Sequence, residues 1–426
     1  MGDRWGEAYA LRGLTIISSN LIDLAHAESH IEASLTIFRQ LEDDWGIGLA
    51  LFSLGWIAMN RDKVDEAAHH WEAALACFQQ SGDRWGVSVT LGSLGYLARL
   101  RGHYPEAGEL TNESLALFRE LGDNAGISYS LGRLGNLAWR RGDYTEAMAL
   151  LQESLKIQRN RNNQEGIIVA LHIQALVACF QSNFAQATAL LQESAQLAQA
   201  RGIPYEIANN LQLQAFVYYA NNNLEQAAQL FAQSLAIFEE ENETEGLAFN
   251  QYGLGLVALK QGQLDDGHLV QADKYLRESL RLWQQRSDRH YIAAVLSSLG
   301  RLALLQGAPE TAAHHFHAAL ALYQEMVDRE GAATTLEGTA NCLQFGVGAK
   351  VLGAAHALRQ AIGAPVLPVV QAEYTAWVAA LRNALGAQQF ADGWAEGEML
   401  SYEAAVTLAL AHLHTNLQSD ESMSKT

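Results

Sequence analysis

The sequence predicts an all-α fold: an α-α superhelical solenoid of stacked helical hairpins, followed by a C-terminal helical cap. Three observations carry that prediction. A block of sequence recurs every 40 residues, marked by Gly6, Gly46, Gly86, Gly126, Gly166, Gly246 and Gly331. Self-similarity at this period signals supersecondary units, each burying its apolar face on the next. Within a block, apolar residues return at spacings of three and four, and no segment alternates in the manner of a strand. Small residues also return at fixed places. The glycine ladder breaks twice, at Glu206 and at Tyr291, the latter after an insertion of about five residues.

The unit from Trp45 to Gly82 shows how a hairpin is specified. Leu51, Leu54, Ile57 and Ala58 form the apolar stripe of a first helix, and Asn60-Arg61-Asp62-Lys63 is the polar break after it. Ala67, Trp71, Ala74, Leu75 and Phe78 form the stripe of a second helix. In the first helix one position reads Thr15, Gly55, Gly95, Gly135, Ala175, Ala215, Gly255, Gly300 and Ala340. A mid-helix glycine costs up to about 1 kcal/mol relative to alanine, so its recurrence predicts close approach of the partner helix. The second helix repeats a small residue at Ala27, Ala67, Ala107, Ala147, Ala187, Ala227, Ala272 and Ala312. Seven residues later comes Ser34, Ala74, Ser114, Ser154, Ser194, Ser234, Ser279 or Ala319.

Past Gly346 the register dissolves. Helices are expected over 349–362, 369–385, 388–399 and 401–414, with Gly363-Ala364-Pro365 as a stop and Pro368 as an entry. The expected organisation is a solenoid of about eight and a half repeats over 1–345, a helical cap over 346–415, and a disordered polar tail over 416–426.

Leu54-Gly55, Ala67, Trp71 and Ala74, in that order, resemble the consensus of the tetratricopeptide repeat (TPR). The resemblance covers about residues 4–345, with a repeat longer than the usual 34 residues and with Thr111 in place of a large apolar side chain. Lys350–Ala355, Ile362–Pro365, Ala391 with Trp394–Gly397, and Leu400–Val406 resemble the extreme C-terminus of the STAND class of bacterial signalling NTPases. That class includes MalT-like and LuxR-type regulators. The resemblance implies a sensing and oligomerisation arm that binds an inducer or partner, with nucleotide-binding and effector domains elsewhere. Gly2–Gly6 duplicates the inter-repeat turn Gly82–Gly86, so the chain is expected to be the C-terminal piece of a longer protein.

Composition bounds the rest. A net charge of −19 argues against a nucleic-acid-binding face, which needs clustered Lys and Arg. Cys77, Cys179 and Cys342 are odd in number and form no Cys-x-x-Cys pair, as expected of reduced, buried thiols. No stretch reads as a membrane span or signal peptide, so the cytoplasm is expected. Gly346–Lys350 lacks the spacing of a phosphate loop, and no catalytic constellation can be assigned. His314 and His317 could share a helix face as metal ligands, but Phe316 holds the core position and no further ligand is near in sequence. No enzyme activity, cofactor or metal is expected.

A ligand is expected on the concave surface, which first helices line in TPR superhelices. Projecting the register gives Phe52, Trp56, Tyr96, Arg99, Tyr129, Asn136, Trp139, His172, Asn209, Gln212, Phe216, Tyr219 and Tyr252 as the candidate site, with Phe249 and Arg301 on the same face. Aromatics at helical spacing serve equally as core. Asn136, His172, Asn209 and Gln212 are more pointed, because alanine or leucine would do in an ordinary helix. Two partner classes fit: a small-molecule or peptide inducer held in a few adjacent repeats, or an extended segment or helix of a partner protein spread over many. Self-association is a further mode. The insertion near Asp265-Asp266-Gly267-His268-Leu269 is read as a longer helix–helix turn, either a functional edge or a tolerated loop.

Overall fold

A computed structural model describes residues 3–20, 24–262 and 266–423. Met1, Gly2, Asp265 and residues 424–426 lie outside these, as does the side chain of Thr15. Every regular element among the described residues is helical, as the spacing predicts. In order these are α1 (Arg4–Asn20), α2 (Leu24–Gln40), α3 (Asp44–Asn60), α4 (Val64–Ser81), α5 (Arg84–Leu100), α6 (Tyr104–Leu121) and α7 (Asn124–Arg140). Then come α8 (Tyr144–Asn160), α9 (Gln164–Phe180), α10 (Phe184–Arg201), α11 (Pro204–Ala220), α12 (Leu224–Glu241), α13 (Thr244–Gln261) and α14 (Asp266–Arg286). The last are α15 (Arg289–Leu305), α16 (Pro309–Met326), α17 (Arg329–Thr339), α18 (Phe345–Ile362), α19 (Pro368–Leu385), α20 (Ala387–Glu398) and α21 (Tyr402–Met423).

Compactness divides the chain into unit 1, residues 1–134, and unit 2, residues 135–426. The cut falls inside α7, whereas the repeat register runs on to 345. Of the expected tail, 416–423 continue α21.

Unit 1 shows what the glycine ladder is for. A methyl group built on Gly46, Gly86 or Gly126 would overlap the ring of Phe38, Phe78 or Phe118, eight residues earlier. Each ring is buried at the end of a second helix, and the next hairpin starts against it. The same exchange of sizes runs through unit 2. Gly246 meets Phe238 and Gly331 meets Tyr323. Where Glu206 replaces the glycine, the residue eight earlier shrinks to the fully buried Ala198. At Tyr291 both partners are large, and Trp283 stacks on it at 4.2 Å between ring centroids.

A second joint links neighbouring repeats in unit 1. Trp5, Trp45 and Trp85 donate their indole N–H to Asp43, Asp83 and Asp123 at 2.9, 2.9 and 3.1 Å. The same aspartates accept backbone N–H groups of the first turn of the next helix, so each is both an N-cap and a clamp. In unit 2, His290 fills the tryptophan position and bonds Asp328 at 2.7 Å.

Inside a hairpin, the mid-helix glycines accept side chains more than backbone. A methyl on Gly55 would enter Trp71, and one on Gly135 would enter Leu151. The repeated serines add hydrogen bonds. Ser34, Ser234 and Ser279 donate to the carbonyls of Ala8, Ala208 and Ala248, each at 2.8 Å.

Two expectations change in detail. The described part of the insertion is helix rather than turn, because α14 begins at Asp266 and reaches 21 residues. Cys179 is buried, whereas Cys77 and Cys342 are half-buried; all three are free thiols. No helix among the described residues is long and apolar enough to cross a membrane.

Candidate functional site

Unit 2 holds a cavity of about 130 Å³ whose wall is built mainly by first helices. Trp139 comes from α7, Phe180 from α9, Phe216 and Tyr219 from α11, Phe249 and Tyr252 from α13, and Tyr291 and Arg301 from α15. The rings form a chain of contacts: Trp139 to Phe180 at 6.0 Å, Phe180 to Phe216 at 5.7 Å, Phe216 to Phe249 at 6.3 Å, and Phe249 to Tyr291 at 5.8 Å. Such a wall can stack flat or aliphatic groups.

The polar groups come in sets. Glu330 and Thr334 of α17 face the cavity with Arg359 of α18. Thr334 Oγ1 donates to Glu330 at 2.9 Å, and Arg359 lies 3.8 Å from Glu330 while binding Glu337 bidentately. Burial pushes the Glu330 carboxyl up to about 7, although Arg359 pulls the other way. Arg359 spends its charge chiefly on Glu337. His290 is pushed below its ordinary range, first by burial and then by Arg140, against the pull of Asp328. Arg140 packs over Trp139 and Tyr291, with ring centroids at 5.4 and 5.0 Å, and sits 3.6 Å from Asp288.

The remaining wall comes from the chain's own C-terminal part. After α18 ends at Ile362, capped by Gly363, residues 364–367 are not helical and form a strap leading into α19; Leu367, Val369 and Val370 face the cavity. Ile362, Ala364 and Val369 join the same apolar core as Trp139, Leu176 and Tyr219. Glu373, one turn into α19, is gripped by Lys260 at 2.7 Å and by Arg301. Burial alone would raise this carboxyl, but the two cations outweigh it and hold Glu373 below the usual carboxylate range. Arg301 and Glu373 also line a neighbouring cavity of about 290 Å³, with Leu304 and Trp377. Unit 2 closes on itself near this strap. Arg329 donates to the Arg141 carbonyl at 3.0 Å and pairs with Asp143, and Ile362 packs beside Gly142.

The structure brings together four of the residues picked from sequence: Trp139, Phe216, Tyr219 and Tyr252, with Phe249 and Arg301 of the same face. It places the four polar picks elsewhere, His172 and Gln212 in hydrogen bonds between helices and Asn136 and Asn209 in hydrogen bonds within their own helices. His172 Nε2 meets Ser194 Oγ at 2.8 Å and Asn210 at 3.4 Å, and burial lowers its pKa to about 4. Gln212 donates to Asn209 at 2.7 Å and accepts from Asn250 at 3.1 Å. Asn136 accepts from Arg140 Nε at 3.2 Å. A polar residue at these positions satisfies a neighbour's buried polar group, which sequence spacing alone does not reveal.

The other picks belong to unit 1. Phe52 and Trp56 pack on the core around Trp71, with centroids 6.3 and 5.2 Å from it. Tyr96, Arg99 and Tyr129 gather around Arg133. Sequence reading missed His290, Glu330, Thr334, Arg359 and the strap. Only Tyr291 left a signal, as the break in the glycine ladder. His314 is exposed and Phe316 buried, as read; no group of three or more potential metal ligands occurs among the described residues.

Comparison with known proteins fits this geometry. The tetratricopeptide repeat family model matches residues 86–160 and 126–200. A stretch of 166 residues is 32% identical to proteins of Mycobacterium tuberculosis and Mycobacterium bovis that carry the name HTH-type transcriptional regulator. That match takes 38% of this chain, and the chain spans only 18% of those relatives' length. Among solved structures, a Rap protein complexed with competence and sporulation factor aligns over 97% of this chain and 99% of its own, with TM-score 0.56 and 13% identity. A Rap conjugation gene regulator of plasmid pLS20, solved with a Phr peptide, aligns over 76% and 95%, with TM-score 0.57 and 10% identity. At these identities the likeness is one of fold. Residues 86–200 match the tetratricopeptide repeat, and helical hairpins of the same kind precede and follow them in the chain.

Proposed function

We propose that the chain is a non-catalytic binding module that takes an extended peptide segment of a partner protein on the inner face of unit 2. The observation that carries this reading is the strap. The non-helical residues 364–367 and the first turns of α19 already lie against the aromatic wall, and Glu373 of α19 is held by Arg301 and Lys260. A groove that accepts this stretch has the chemistry to accept a similar one from another chain, with pockets for side chains and cations for a carboxylate. The two Rap structures named above, solved with a peptide and with competence and sporulation factor, give the same fold a precedent.

Size favours a peptide over a small-molecule inducer. With the strap in place, 130 Å³ is well short of the roughly 300–1,000 Å³ of small-molecule sites. A peptide that displaces the strap gains the strap's own footprint. The test is an alanine scan against a peptide selected from a random display library on the full chain. Loss of binding in Phe216→Ala, Tyr252→Ala and Arg301→Ala supports the reading. Equal, small effects across all repeats would instead indicate a diffuse scaffold.

A second reading is favoured by the match to the mycobacterial HTH-type regulators: the chain would be the sensing arm of a STAND-type transcriptional regulator, with self-association among its responses. Transcription of a target gene that responds to the selected peptide, and loses that response in Phe216→Ala, would support it. A response unaffected by the substitution would not.

A further inference from the structure

Unit 1 carries a cluster that the cavity of unit 2 does not explain. Arg133 of α7 lies between two rings, its guanidinium carbon 4.9 Å from the centroid of Tyr96 and 4.3 Å from that of Tyr129. Arg99 sits over the same Tyr96 ring at 4.9 Å. The hydrogen bonds of Arg133 go to neutral groups: Nη1 donates to the Gly92 carbonyl at 3.0 Å and Nη2 to the Tyr129 hydroxyl. Its Nε is buried without a partner. No carboxylate among the described residues pairs with Arg133. Only Tyr96 and Arg99 act on it electrostatically, while burial weighs against its charge.

Three other arginines of unit 1 pair with acids, Arg61 with Glu28, Arg84 with Glu120 and Arg101 with Asp65, whereas Arg12, over the Tyr9 ring, shares with Arg133 a buried Nε that has no partner. The chain has 47 acidic residues against 28 Lys and Arg, so an unpaired guanidinium does not arise from a shortage of carboxylates. Arginine stays protonated, and a half-buried cation without an anion, beside a second cation, is a cost the fold retains.

The cluster occupies repeat positions whose equivalents in unit 2 line a cavity. Tyr96, Arg99 and Tyr129 stand three 40-residue steps before Phe216, Tyr219 and Phe249, all of which line the cavity of unit 2. Tyr129 is 44% exposed, so the cluster opens to solvent. We infer that Arg99 and Arg133, framed by Tyr96 and Tyr129, form a binding site for an oxyanion, a carboxylate or a phosphate group. Two guanidiniums supply the charge and the planar N–H donors that match such groups. The tyrosine rings hold both cations in place before the ligand arrives.

The test titrates the full chain at low salt, by calorimetry, with inorganic phosphate and separately with an acetylated, amidated tetraglutamate. Wild type is compared with Arg99→Gln and Arg133→Gln, each checked for helicity by circular dichroism. One of the probes is expected to bind saturably at one site per chain, weaken as sodium chloride is added, and lose roughly tenfold or more in affinity in a folded variant. Tighter binding of the peptide assigns the site to carboxylates, and tighter binding of phosphate assigns it to phosphate. Should Arg133→Gln fail to fold, Arg99→Gln decides alone. The inference is overturned if neither probe binds wild type, or if the folded variants bind as wild type does.

Discussion

Glu330 is where the chemistry of single residues is most open to measurement. Its carboxyl, held near 7 by burial, keeps a proton that an unfolded chain releases at its ordinary value of 4.5. The native state therefore binds more protons than the unfolded state between about 4.5 and 7, and stability falls as pH rises through that window. His172 runs the opposite way. Burial lowers its pKa to about 4, so the native state resists protonation and stability falls as pH drops from 6.5 towards 4. Glu330→Gln is expected to gain stability over wild type progressively from pH 5 to pH 8, read by urea unfolding at each pH. A gain that does not change with pH would contradict the assignment. Packing at single residues is equally testable. A methyl on Gly126 overlaps the Phe118 ring, so Gly126→Ala should cost about 1–3 kcal/mol, the usual price of overpacking. Unfolding of Gly126→Ala at the wild-type urea midpoint would refute this.

At the scale of elements, the hairpins were legible because their determinants are local and periodic. Gly46, Gly86 and Gly126 announced the inter-repeat turn, and the structure supplies the partner rings eight residues earlier. The Trp–Asp joints also sit in the repeated turn, yet their function could not be read, since the two residues are 38 apart in sequence. Asp83 caps α5 and holds Trp45, so Asp83→Ala should destabilise unit 1 by about 1–3 kcal/mol in urea. An effect below 0.5 kcal/mol, roughly that of an ordinary surface substitution, would show the joint to be incidental. The strap between α18 and α19 follows no period. Leu367 and Glu373 reach their partners from far along the chain, and only the folded structure brings them together. Glu373→Gln weakens the grip of Arg301 and Lys260, and should speed amide exchange in the first turn of α19 while leaving α13 and α15 unchanged. Exchange that stays at the wild-type rate would mean that apolar contacts alone hold the strap.

For the whole molecule, fold class followed from the 40-residue period, because a stack of like hairpins has few alternatives. The candidate site was legible in part. Trp139, Phe216, Tyr219 and Tyr252 converge because the first-helix register dictates which residues face inward. Asn136, His172, Asn209 and Gln212 obey the same register but find polar partners within their own helix or on a neighbouring one, and Glu330 and Arg359 converge with the wall only through the closure of unit 2. The central claim is that the strap occupies a groove made for a peptide. Hydrogen exchange of the full chain, with and without a peptide selected against it, tests this directly. Faster exchange at 366–373, together with protection of α11 and α13, is the predicted result. Unchanged exchange at 366–373 under saturating peptide would contradict it.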